Sequence, residues 1–288
     1  MFSLQKKSLQ KKKKNPHKIM TEPRKPLGIK SYGHIAHLPG SRLGPGDHKC
    51  HEGQARIATA KPRDRHDHVI VQEKLDGSNV GVALKDGVIY PLTRAGYVAT
   101  TSPFEQHVHF ANWVYANQQR FLAVLEEGER LCGEWLMQAH GTRYNLPHEP
   151  FVVFDLMKGA DRTPFDAFLA RIEPGKFVIP HILHRGEPLS IENAMTELNT
   201  FGFHGAVDSV EGAVWRVERN EIINPRKGGE RRWVFDFLVK YVRPDKADGT
   251  YLPEVSSQPA VWNWWPETET TPEKALPRLQ KAKHLKPL

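Results

Sequence analysis

Residues 69–90 read Val69-Ile70-Val71-Gln72-Glu73-Lys74-Leu75-Asp76-Gly77-Ser78-Asn79-Val80-Gly81-Val82-Ala83-Leu84-Lys85-Asp86-Gly87-Val88-Ile89-Tyr90, and the parsing of this stretch decides the fold. Val69 and Val71, then Val80, Val82 and Leu84, recur at the period of two that puts side chains on one face of a strand. Asp86-Gly87 is a tight hairpin turn leading into Val88-Ile89-Tyr90. Between the first two strands lies Glu73-Lys74-Leu75-Asp76-Gly77-Ser78-Asn79. A lysine there sits on a strand edge, and Gly77 lets backbone approach closely. Taken alone, this stretch also fits an ordinary charged turn.

Further along, Leu131–Leu136, Phe151–Met157, Ala213–Val217 and Trp233–Val242 read as strands. Three helix starts are marked: Ser102 with Pro103 and Glu105, running towards Gly128; Thr163-Pro164; and Ser190, running to near Gly202. Strand runs broken by separate helices predict an α+β fold of mainly antiparallel sheets flanked by helices. No GxGxxG or GxxxxGKS/T pattern supports a doubly wound alternative.

Composition narrows the class. The chain has 288 residues, 39% of them hydrophobic and 26% charged, enough to build a sizeable core. No apolar run approaches the roughly 18–20 residues that cross a bilayer. With two cysteines, Cys50 and Cys132, a disulfide framework is excluded and a cytoplasmic protein is expected. The net charge of +8 belongs to the first 30 residues, where ten Lys/Arg face Glu22 alone; positions 31–288 hold 31 basic and 32 acidic residues. A basic tail holds polyphosphate without reading sequence, or is simply solvated. Met20, beyond the run Lys11–Lys14, is a candidate start. The expected organisation is a basic tail over 1–30, one domain over 31–255, and a Pro-, Thr-, Glu- and Lys-rich extension over 256–288. Trp262, Trp264 and Trp265 are expected to anchor the start of that extension.

Charged residues recur at strand edges and inside apolar strands: Lys74, Arg94, Glu134, Glu211 and Lys240. Buried charges are costly unless paired or bound, so this pattern predicts one shared polar cleft. Two other clusters, Asp47-His48-Lys49-Cys50-His51 and His66-Asp67-His68, hold metal-ligand types without paired zinc spacing. The Gly/Pro-rich segment 38–46 offers Arg42 as a phosphate contact or is a surface loop.

Taken in order, EKLDGSN (73–79), TRAG (93–96), GEW (133–135), FVVFDLM (151–157), EGAV (211–214) and LVKYV (238–242) resemble the motifs of the covalent nucleotidyltransferases. That superfamily holds the ATP-dependent DNA and RNA ligases and the capping enzymes, and the chain is most similar to its RNA ligases. The resemblance implies an ATP-grasp-like nucleotidyltransferase core. Lys74 would be the nucleophile that takes AMP from ATP, with Lys240 neutralising the α-phosphate. Asp76 would act when a 3′-hydroxyl attacks the activated 5′ end. Glu211 would hold Mg²⁺ or Mn²⁺, and Glu134 would accept from the ribose. Phe154 would stack on adenine with Val214 opposite, Glu73 would lie near the adenine amino group, and Asn79 and Arg94 would complete the nucleotide site. Phe154 also fits an ordinary core aromatic. Desolvation and nearby cations, with Arg94, Lys240 and a bound Mg²⁺ as candidates, would lower the Lys74 pKa from the ordinary value near 10.4.

One position departs from the family. Its last motif often reads K-x-K, and Leu238 occupies the first lysine; either Lys240 acts alone, or Arg226, Lys227 or Arg243 substitutes. The loop 224–232 is alternatively an RNA contact. Only 48 residues follow Lys240, too few for a five-stranded OB barrel, so no C-terminal OB domain is expected. The implied activity is ATP-dependent joining of 5′-phosphate and 3′-hydroxyl RNA ends. The alternatives are a DNA-nick ligase, another nucleotidyltransferase, or a non-catalytic nucleotide-binding module. Oligomeric state is left open.

Overall fold

The structure, a computed structural model, describes residues 25–223 and 229–265. Lys11–Lys14, Met20, Arg226 and Lys227 lie outside the described residues. In chain order the elements are β1 (Ala36–His37), α1 (Glu52–Thr59), β2 (Asp67–Lys74), β3 (Ser78–Lys85), β4 (Val88–Thr93), α2 (Glu105–Ala116), α3 (Gln118–Leu122), β5 (Glu129–Trp135), β6 (Phe151–Lys158), β7 (Asp161–Arg162), α4 (Phe165–Ile172), β8 (Ile182–Gly186), α5 (Ile191–Leu198), β9 (Gly212–Ile222), β10 (Arg231–Val242) and α6 (Pro253–Ser256).

They form two five-stranded sheets, β1-β10-β9-β2-β8 and β4-β3-β5-β6-β7. Only the β1–β10 strand pair is parallel. The fold is α+β and mainly antiparallel, as the sequence predicts. The β3–β4 hairpin turns on Asp86 and Gly87, both at positive φ (52° and 71°), the geometry a two-residue turn needs.

Period-two alternation decides what each sheet face meets. On the first sheet, Val69, Val71, Ala213, Trp215, Val217 and Val239 share one apolar cluster with residues of α1 and α5. On the second, Val80, Val82, Trp135, Phe151 and Val153 share another with Phe110, Val114 and Phe121 of α2 and α3. Helices thus cover each sheet on one side, while the alternate residues of both sheets line a cavity between them. Among the described residues the chain passes from the first sheet to the second through Leu75-Asp76-Gly77 and returns between β7 and β8. A Cβ on Gly77 would lie 2.5 Å from the Trp135 carbonyl oxygen, so the crossing has room only for glycine.

Helix boundaries differ from expectation in two places. Ser102 does not cap α2: its hydroxyl bonds His107 Nδ1 (2.7 Å), and the cap position falls on Phe104. The helical stretch then breaks at Asn117, well before Gly128. Ser190 does cap α5, accepting from the Asn193 N–H, but the helix stops at Leu198 because Asn199 turns to φ 54°. Trp262, Trp264 and Trp265 pack on the α2/α3-side core, as expected of an anchor. No helix among the described residues is long and apolar enough to cross a membrane.

Candidate active site

The cavity between the sheets has a volume of about 610 Å³, and all ten residues nominated from the sequence line it. Three adjacent strands of the first sheet supply its floor. Gln72 and Lys74 on β2, Val214 and Arg216 on β9, and Leu238 and Lys240 on β10 are alternate residues on one face; Val214 lies opposite both Gln72 and Lys240. The second sheet supplies Asn79 and Glu134, directly opposite each other across β3 and β5. Phe154 enters from a β-bulge: Cys132 pairs with Asp155 and Gly133 with Val153, so Phe154 has no partner on β5. A bulge re-aims one side chain, and Phe154 lies half-buried on the cavity wall, edge-on to Tyr32 (5.1 Å between ring centroids). Arg94 stands exposed at the rim, donating to the Gly33 carbonyl oxygen (3.1 Å).

At the centre, Lys74 Nζ donates to Glu211 Oε2 at 2.6 Å. Burial alone would lower the Lys74 pKa, but Glu211, Glu134 and Asp76 outweigh it and hold the ammonium well above its ordinary value. The expected lowering by nearby cations is therefore not found: carboxylates dominate around Lys74. Those carboxyls are raised in turn, first by burial. Glu134 is pushed up to about 7, with Lys74 opposing and Glu211 and Asp76 adding to the rise; Glu211 and Asp76 are raised too. Lys240 is lowered, by burial and then by Lys74, and Asp47 Oδ1 lies 3.7 Å from its ammonium. Three carboxyls thus share one lysine at the cavity's centre.

The group fits a divalent cation that takes one or two carboxylates and completes its shell with phosphate oxygens and water. No cluster of three or more metal-ligating side chains among the described residues forms a closed protein cage. Asn79 Oδ1 is buried without a hydrogen-bond partner, an acceptor left for a ligand.

Glu73 stands apart from its expected role. Being next to Lys74 on a strand, it points to the opposite face, where its carboxylate accepts the Phe203 N–H (3.0 Å) and its side chain is wholly buried. The other carboxylate oxygen has no partner, and burial pushes the acid up to about 7. Glu73 is thus among the lining residues while its carboxylate is engaged on the far side of the strand by the Phe203 N–H.

Leu238 lies across the strands from Arg216, whose guanidinium is engaged by Asp155 (2.6 Å), Glu218 (2.6 Å) and the Thr163 carbonyl oxygen (2.6 Å). Arg243 is turned away, its guanidinium on the Asn199 carbonyl oxygen. Lys240 is thus the one lysine that β10 delivers to the cavity. Arg42 pairs with Asp248 and does not line the cavity. His51 caps α1, and Asp67 is held by Arg63 and Arg219.

Sequence reading missed Arg216, Asp155 as its partner, and His107. The signal for Arg216 was a basic residue inside the apolar run Ala213–Val217. His107 is held between Ser78 Oγ (2.8 Å) and Ser102 Oγ (2.7 Å) on the cavity wall. Burial, with His140 adding, lowers it to about 4, so it is neutral at physiological pH.

Among solved structures, the chain is similar to a Naegleria gruberi RNA ligase mutant with ATP and Mn (15% identity, 77% of this chain and 62% of that chain, TM-score 0.45). It is also similar to an archaeal ATP-dependent RNA ligase (20%, 62% and 43%, TM-score 0.34). A third is a putative ATP-dependent DNA ligase from Aquifex aeolicus (18%, 73% and 49%, TM-score 0.40). The chain spans roughly half the length of these solved chains, 43–62%. No curated protein matches it. A model of the RNA ligase family matches residues 67–254, a span that holds Lys74, Glu134, Glu211 and Lys240, and the chain belongs to that family.

Proposed function

We propose that this chain is an ATP-dependent RNA ligase that joins a 5′-phosphate to a 3′-hydroxyl through a lysyl-adenylate on Lys74. One observation carries the reading. Lys74 Nζ, 2.6 Å from Glu211, opens into a cavity also lined by Glu134, Lys240 and Phe154.

In the first step Lys74 Nζ attacks the α-phosphorus of ATP. A P–N bond forms, the P–O bond to the β-phosphate breaks, and pyrophosphate leaves. The amine must first lose a proton to solvent, and Glu211 Oε2 is the carboxylate that holds the ammonium in the resting chain. In the resting chain the carboxylates keep that proton on Lys74, so release of Glu211 from the ammonium arms the nucleophile. Mg²⁺ or Mn²⁺ at Glu211 would supply charge neutralisation to the phosphates. Lys240, its charge already poorly solvated, is placed to stabilise the α-phosphate as negative charge gathers on it. Phe154 and Val214 offer apolar walls to adenine, Glu134 accepts from the ribose, and Asn79 and Arg94 reach the remaining polar groups of the nucleotide.

In the second step an oxygen of the RNA 5′-phosphate attacks the adenylate phosphorus. The P–N bond breaks, Lys74 regains a proton, and the RNA end carries AMP. In the third, the 3′-hydroxyl attacks the 5′-phosphorus, its proton passes to Asp76, and AMP leaves. Two unpaired thiols, Cys50 and the buried Cys132, suit a reducing cytoplasm.

Intact-mass measurement after incubation with ATP and Mg²⁺ or Mn²⁺ tests the reading. The wild-type chain is expected to gain one adenylate, mapping to Lys74, and Lys74→Ala to gain none. Equal gain by the variant sinks it. A panel of nicked RNA, nicked DNA and single-stranded RNA then separates RNA from DNA ends, RNA being the expected substrate.

A further inference from the structure

Behind Asp76 lies a second buried lysine that the reaction just described leaves unused. Lys246 is 5% exposed, yet its ammonium lies 3.9 Å from Asp76 Oδ2 and makes no direct hydrogen bond to it. Instead it donates to the carbonyl oxygens of Gly141 (2.8 Å) and Ser209 (2.6 Å) and to Thr142 Oγ1 (2.5 Å). An ammonium has three protons and no lone pair, so these bonds use all of it. Thr142 Oγ1 must therefore accept from Lys246, which leaves the hydroxyl's own proton for Asp76 Oδ2, 3.1 Å away, the nearer and charged acceptor beside the Ser209 carbonyl oxygen at 3.4 Å. The Gly141 N–H donates to the same oxygen (3.0 Å). Both donors converge on Oδ2, and none among the described residues is recorded on Oδ1.

The main chain of Asp76 is fixed separately, its N–H donating to Tyr144 Oη (3.1 Å). Space is tight around the node: a Cβ on Gly141 would lie 2.5 Å from the Ala247 carbonyl oxygen and 2.8 Å from Asp76 Oδ2. Tyr251 N–H to the His140 carbonyl oxygen (2.7 Å) ties the segment after β10 to the same loop. Three separate stretches, 76, 141–142 and 246, meet at one carboxylate.

We infer that Lys246, acting through the Thr142 hydroxyl, is a positioning residue that fixes Asp76 Oδ2 and presents Oδ1 to the attacking 3′-hydroxyl. The inference rests on the ligase reading above and assigns its sealing step two residues, neither of which touches the substrate. A charge-polarised hydroxyl is a stronger donor than a neutral one, so the lysine strengthens the Thr142–Asp76 bond in addition to pairing its charge with the carboxylate 3.9 Å away.

The test is a double-mutant cycle on sealing of pre-adenylated nicked RNA, measured as a single-turnover rate. Lys246→Met is expected to slow sealing about 100-fold, the scale of an ångström's misplacement of a reacting group. Thr142→Val, which cuts the relay and leaves the lysine in place, is expected to slow it about 10-fold and serves if Lys246→Met does not fold. In an Asp76→Ala background each change should cost less than about twofold more, because the carboxylate they position is gone. A lysine that merely supports the fold gives penalties that multiply in both backgrounds, and that result overturns the assignment while leaving the ligase reading intact. A wild-type chain that seals nothing overturns both.

Discussion

Lys74 and Lys246 are both buried, both near Asp76, and pushed in opposite directions. For each, burial is the largest influence and lowers the pKa. Lys74 has Glu211 at 2.6 Å with Glu134 and Asp76 close by, and the carboxylates win, so its ammonium is held. Lys246 is surrounded by neutral oxygens, its carboxylates stand off, and burial wins. On the proposed reading, a reactive amine is stored in its charged form by carboxylates that a substrate can draw away. The proposed positioning amine is bound instead to two main-chain carbonyls and a hydroxyl. The difference lies in what each lysine touches: burial lowers both, and only Lys74 has a carboxylate in direct hydrogen-bond contact.

The sharpest way to break this comparison is Lys74→Arg. It keeps a cation beside Glu211 but removes the nucleophile, and adenylate capture should fall at least about 10⁴-fold. Retained adduct formation in the intact-mass assay would contradict the role given to Lys74.

The next largest effect concerns a buried carboxyl with no cation beside it. Glu73 is raised to about 7 by burial, against an ordinary value near 4.5. The folded chain therefore holds this proton more tightly than the unfolded one. The associated stability is fully present below about pH 4.5 and is lost as pH rises through 7, up to about 3 kcal/mol. Glu73→Gln has no proton to lose, so its denaturation midpoint should depend less on pH than the wild type's between pH 5 and 8. Parallel curves would rule this out.

Glu211→Gln sharpens the contrast between the lysines directly. Without the carboxylate, Lys74 should lose proton affinity. Its labelling by an amine-reactive reagent at pH 8, without nucleotide, should rise about 10-fold or more. Lys246 should stay unlabelled in both proteins. Peptide mapping that finds equal labelling of Lys74 in wild type and variant would remove the storage role of Glu211. The smallest expected effect is remote from both lysines. Ser190→Ala removes the cap of α5 and should cost about 1 kcal/mol of stability with adenylation unchanged.

Much of the fold was legible because strands announce themselves by alternation. The β2–β3–β4 run and its Asp86-Gly87 turn follow the sequence closely. The same alternation should have set Glu73 apart from Lys74, since consecutive strand residues face opposite ways. Carrying a motif over residue by residue obscured that. Lys246 was illegible for a different reason: two of its three bonds go to main-chain carbonyls, which leave no mark on side-chain patterns. Phe154's entry through a bulge was equally hidden, because an extra residue in one strand shows only against its partner. Ser102 does not cap α2 because its hydroxyl is taken by His107, a competition between side chains that no local pattern reveals.

The three-residue passage between the sheets has a practical consequence for anyone re-engineering this scaffold. With the Trp135 carbonyl pressed against Gly77, the link offers no slack in which to lengthen, shorten or decorate it. Libraries aimed at new nucleotide preferences should leave residues 75–77 constant.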